Sequence, residues 1–165
     1  MDLRQCCACA LTLFAYSSPG AHASEPDGEA NSARLNQVWL DTGFITHHFQ
    51  SDLDLNDHNP GVGVEYRFSD TMALTAGRFY NSDREHSRYA GMYYQPWTIG
   101  GVKLGAVVGG FDGYPKMRGG GWFLALIPAA TFEYKRVGVN IAVVPTYKDR
   151  LHGGISMQLK FKLWE

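Results

Sequence analysis

From residue 35 to the end of the chain, apolar residues recur at every second position, a spacing that fits extended strands and no helix. The last segment is the clearest: Ile155, Met157, Leu159, Phe161 and Leu163 alternate with Ser156, Gln158, Lys160 and Lys162. The same period runs through Val62, Val64, Tyr66 and Phe68, through Val102, Leu104, Ala106 and Val108, and through Val137, Val139, Ile141 and Val143. Turn residues interrupt it about every ten residues. Eight strands are predicted, at about 35–47, 61–68, 71–80, 88–95, 102–110, 122–134, 137–146 and 153–164.

The connections differ in length. Those after strands one, three, five and seven are longer ("HFQSDLDLNDHNP", "NSDREHS", "FDGYPKMRGGG", "YKDRLHGG"); those after two, four and six are shorter ("SD", "PWTIGG", "KR"). Long loops at one end, tight turns at the other and an even strand number define an antiparallel up-and-down transmembrane β-barrel. Aromatic residues near strand ends (Trp39, Tyr80, Tyr93, Tyr94, Trp97, Trp122, Tyr134, Trp164) suit its two interfacial girdles. A water-soluble lipocalin-type barrel carries the same alternation with its apolar face inward. The regular loop asymmetry and the aromatic next to the C-terminus, Trp164 before Glu165, favour the membrane version.

The opening "MDLRQCCACALTLFAYSSPGAHASEP" reads as a secretory signal: Arg4 in the n-region, an apolar run from Cys6 to Tyr16, and the small residues of "AHA" before Ser24. The expected organisation is therefore a signal peptide at 1–23, a polar segment at 24–34 and an all-β barrel at 35–165. All the cysteines (Cys6, Cys7, Cys9) fall in the signal, so the mature chain has no disulfide framework. A formal net charge of −1 gives no electrostatic case for nucleic acid. Export and barrel together predict a monomer in the outer membrane of a Gram-negative cell.

Chemistry-bearing residues gather at the loop end. His47 and His48 close strand one, and Asn81 and Ser82 begin the loop after strand three, on the neighbouring hairpin. An imidazole titrates near neutral pH and a hydroxyl needs a base to react, so a His–Ser pair is the core of a general-base-assisted acyl transfer. On composition alone, solvated rim residues explain the same pattern. No metal site is expected, because adjacent histidines on a strand point to opposite faces.

Four short motifs, in order, resemble the PagP family of outer-membrane lipid A palmitoyltransferases: "ITHHF", "NPGVGVEY", "FYNSDREHSRYAG" and "IPAATFEYKRVGVNIAVVPTY". The resemblance spans nearly the whole mature chain. It implies that His48 is the general base, with His47 as the fallback, and that Asn81 and Ser82 stand on the family's Asp-Ser pair. Asn81 departs from that pattern, since an amide can orient a neighbour but cannot stabilise an imidazolium by charge. Either Asp83 takes that role, or activity is reduced or lost, or the position acts less directly than in a triad. Pro128, Pro145 and Pro60 fall on family prolines. Proline cannot donate to a ladder, so Pro128 and Pro145 on adjacent strands either mark a local gap in the wall or merely end their strands near the outer rim; the resemblance implies a gap that admits acyl chains laterally. Gly43 stands where the family has a further proline.

The resemblance further implies transfer of an acyl chain, palmitoyl or shorter, from a phospholipid donor to lipid A or a related glycolipid, with no cofactor. Gly91 and Tyr93 on strand four are expected at the depth of the acyl pocket, where an inward Tyr93 selects a shorter chain. The rival expectations are a non-enzymatic barrel whose outer loops bind a partner or envelope component, and a soluble lipocalin-like carrier.

Overall fold

The computed structural model describes residues 35–165; the expected signal peptide and polar segment lie outside the described residues. Eight strands form one closed antiparallel barrel in chain order: β1 (Gln37–His48), β2 (His58–Arg67), β3 (Met72–Tyr80), β4 (His86–Ile99), β5 (Val102–Phe111), β6 (Phe123–Tyr134), β7 (Val137–Val144) and β8 (Gly154–Trp164). Closure pairs β1 with β8, so the sheet has no terminal edge strand. A single turn of 3₁₀ helix, Arg118–Gly120, lies in the loop between β5 and β6.

The apolar set faces out. On β8, Ile155, Met157, Leu159, Phe161 and Leu163 are exposed, whereas Ser156, Gln158 and Lys160 are buried. Leu124 and Leu126 on β6 are exposed too, Leu124 by 84 %. A soluble barrel buries its apolar face, so this wall is that of a membrane barrel. Tyr94, Trp97, Trp122, Tyr134 and Trp164 lie on the outer surface, as girdle residues do. Trp39 and Tyr93 do not. Both are buried inside, and Trp39 lies under Lys160 and Lys162, whose Nζ atoms are 4.5 and 5.1 Å from its ring centroid.

The interior divides along its length. Towards the tight-turn end, Asp41, Glu65 and Glu133 meet Arg67, Lys103 and Lys160. Gln95, Thr131, Asn140 and Gln158 link them by hydrogen bonds. Towards the loop end the lining is mostly apolar, with Phe44, Phe79, Val107, Phe111, Phe123 and Ile127 beside the polar Thr46, Asn59 and Ser156.

Two departures from regular pairing decide what reaches the interior. In β1, Asp41 pairs with Lys160 but Phe44 with Gln158, so β1 carries one extra residue against β8. Trp39 and Asp41 point in before this bulge; Thr46 and His48 point in after it. A bulge reverses the alternation, and here it turns His48 inward and leaves His47 exposed. Gly43 permits it, because a Cβ there would collide with the backbone of Asn59, Pro60 and Gly61. In β4, the expected turn at "PWTIGG" is mostly strand. Pairing to β5 resumes at Trp97 after a shift that accommodates Pro96.

Candidate active site

His48 ends β1 with its imidazole almost enclosed, 4 % of the side chain being exposed. Its Nε2 is 2.8 Å from Ser82 Oγ, and its Nδ1 is 2.6 Å from Asp57 Oδ1. A carboxylate only accepts, so Nδ1–H donates to Asp57. That leaves the Nε2 lone pair free to accept the Ser82 hydroxyl proton. Nucleophile, base and orienting carboxylate therefore stand in one line, the arrangement that activates a serine hydroxyl.

The loops hold this line in place. Thr46 N donates to Asp57 O, which fixes the chain at the carboxylate. Asn56 N donates to Ser82 O, and Asn56 Nδ2 to Asn81 O, tying the first loop to the second. Arg84 adds an ion pair to Asp54 across the same two loops. The Asp57 side chain is 54 % exposed while His48 is enclosed, so the array opens towards the loop end from a buried base.

Neither Asn81 nor Asp83 orients the histidine. Asn81 is fully buried, its Nδ2 donating to Ser87 Oγ (2.9 Å) and to Gly113 O (2.8 Å). Its Oδ1 accepts from the backbone N–H groups of Asp83 and Glu85. An amide both donates and accepts, so Asn81 staples the second and third loops together. Asp57 was missed by sequence reasoning because it lies in an aspartate-rich loop without periodicity. The one available signal was its place immediately before the second strand, which returns beside the first.

Below the triad lies a cavity of about 90 Å³, lined by the apolar upper interior with His48 and Ser82 at its mouth. On the same measure one water needs roughly 10–15 Å³, so this space seats several methylene-sized groups. Tyr89 and Tyr93 bound it from β4. Tyr89 packs against Phe44 and Phe79 at centroid distances of 6.0 Å, and its hydroxyl end fills the space left by Gly63 and Gly77. Gly91 does not line the cavity: it pairs with Gly109, and a Cβ on it would press on the Val108 backbone. At the mouth, desolvation and then the Asp83 carboxylate push the Tyr114 phenol well up.

The prolines part company. The β6–β7 ladder ends at Ala129↔Ala142, so Phe123–Pro128 has no partner on β7, and β7 itself stops just before Pro145. Pro128 and Pro145 therefore flank an interruption in the wall. Pro60 does not. Beyond it β1 and β2 pair again at Phe44↔Asn59 and Ile45↔His58, so Pro60 sits in a bulge of a closed ladder.

No protein-family model matches the chain, and no curated protein sequence matches it either. Among solved structures, the solution NMR structure of the de novo designed protein TMB2.3 is similar, with a TM-score of 0.57 over 79 % of this chain and 96 % of that one. At 11 % identity the likeness speaks to fold alone. The chain is a closed eight-stranded antiparallel up-and-down barrel of the transmembrane kind, compatible with an outer-membrane protein.

Proposed function

We propose that this barrel is a PagP-like outer-membrane acyltransferase that moves an acyl chain from a phospholipid to lipid A or a related glycolipid. The observation that carries the reading is the Ser82–His48–Asp57 line at the mouth of an apolar cavity inside a membrane barrel. In the first half-reaction His48 Nε2 takes the Ser82 proton as Oγ attacks the donor ester carbonyl. The imidazolium then protonates the departing lysophospholipid oxygen, leaving the chain on Ser82. In the second half-reaction His48 deprotonates an acceptor hydroxyl, which attacks the acyl-serine and releases Oγ. The acceptor takes the chain and Ser82 recovers its proton. Asp57 holds the imidazole in the required tautomer throughout.

The interrupted β6–β7 ladder supports lateral access for the chain, since unpaired backbone survives in lipid only where it is used or shielded. Lipid A from Gram-negative cells expressing the protein is expected to gain the mass of one acyl substituent. Unchanged lipid A, with the barrel folded by heat-modifiable gel mobility, would count against the reading. Tyr93 lies at the base of the cavity, so Tyr93→Gly is expected to lengthen the transferred chain, read by the same mass spectrometry. Transfer of the same length by both proteins would remove Tyr93 from the pocket floor.

A further inference from the structure

On the outer wall, Arg78 of β3 stands directly across the ladder from Arg88 of β4, and both side chains are exposed. Like charges directly opposite one another destabilise a sheet, and a cation on a lipid-facing wall costs more the deeper it lies. Arg88 is partly answered: its Nε and Nη2 donate to Asp112 Oδ2 at 2.8 and 2.6 Å, and its guanidinium stacks on Trp122 at 5.6 Å. Arg78 makes no ion pair or side-chain hydrogen bond among the described residues. The patch thus carries one positive charge more than its own carboxylate neutralises.

Just below the arginines the wall is hollow. Ala76 pairs with Ala90, and Ala90 with Gly110, giving a row of small outward residues across three strands. Leu74, Met92 and Val108 form the larger row beneath it. Trp122 leans over one end, where a Cβ on Gly110 would meet its ring at 2.9 Å. A shallow depression under Arg78 and Arg88 is lined by Val62, Val64, Ala76 and Trp122, and a second, lined by Leu74, Ala90, Met92 and Gly110, continues it on the β3–β5 wall. Arg78 lies two residues inside the loop end of β3, roughly 5 Å along the barrel axis once strand tilt is included. An arginine stem can snorkel over that distance to headgroup level.

We propose that this wall holds an anionic lipid, its phosphate between Arg78 and Arg88 and one acyl chain along the row of small residues. Guanidinium groups are matched to phosphate oxygens by geometry as well as charge, and the hollow is apolar where a chain would run. The site is independent of the acyl-transfer reading, since it uses the outer face and none of the triad.

The test is native mass spectrometry of the full barrel from detergent, with dioleoyl phosphatidylglycerol and dioleoyl phosphatidylcholine as probes of equal chain length. Wild type is expected to retain phosphatidylglycerol roughly tenfold better, the scale of a charge-assisted contact. Arg78→Gln is expected to abolish that preference. Ala76→Leu, which keeps both guanidinium groups, is expected to weaken retention by filling the row. Heat-modifiable mobility reports folding of each variant. A preference unchanged in either folded variant, or a phosphatidylglycerol adduct displaced by an equal concentration of inorganic phosphate, overturns the proposal.

Discussion

Ser82→Ala and His48→Gln are each expected to lower acyl transfer by roughly 10³–10⁴-fold, with the barrel still folded. The readout is transfer of a labelled chain from phospholipid to lipid A in mixed micelles. The double variant should be little worse than either single one, because the groups act as one unit. Asp57→Asn should cost about 10²–10⁴-fold, since an amide can hold the imidazole in the wrong tautomer and cannot stabilise its cation. Asn81→Asp should not speed transfer: the Nδ2 that donates to Ser87 Oγ and Gly113 O would be lost, setting a buried carboxylate against the Gly113 carbonyl. Loss of those bonds costs about 1–3 kcal/mol, read as a lower urea midpoint rather than a slower chemical step. Full activity in Asp57→Asn would remove Asp57 from the mechanism.

That contrast between Asp57 and Asn81 marks what the residues alone could reveal. Strand number and wall polarity were legible because period-two alternation and loop length are local properties of the chain. His48 was harder. Strict alternation from Trp39 and Asp41 continues through Gly43 and Ile45 to His47, and would turn His47 inward; only the bulge at Gly43 reverses this. The resemblance to an acyltransferase family singled out His48 without that bulge. The structure shows only why His48, and not His47, faces the interior. Asp57 was illegible because its position depends on backbone bonds between two loops, which leave no periodic trace. Trp39 was assigned to the girdles by its nearness to a strand end, and Tyr93 was placed both there and inward at the acyl pocket; each shares its face with buried residues of the same strand, Asp41 and Gln95. Pro60 and Pro128 look alike as letters, but one sits where a ladder bulges and the other where it stops.

Lys160→Met is expected to destabilise the barrel by about 3–5 kcal/mol, the penalty for leaving buried carboxylates without their cation. Lys160 is fully buried, and its Nζ lies 2.7 Å from Glu65 Oε1 and 2.7 Å from Glu133 Oε1. With it gone, Asp41, Glu65 and Glu133 face only Arg67 and Lys103, and the interior carries an uncompensated negative charge. Adding Glu65→Gln restores the balance, so the double variant should regain most of the loss; urea unfolding of the barrel in lipid vesicles measures both. A double variant no more stable than Lys160→Met would mean that packing on Trp39, 4.5 Å from Nζ, outweighs charge. The same cluster bears on function. Its hydrogen-bonded side chains fill the barrel towards the tight turns, so the room for a hydrocarbon chain lies in the other half, directly beneath Ser82 and His48. Tyr89 joins the two halves, its ring among the phenylalanines and its hydroxyl 3.4 Å from Gln158 Nε2. Loosening the ionic half should therefore blur the chain length transferred before it slows transfer, because the triad is held by the loops and the cavity floor by the cluster.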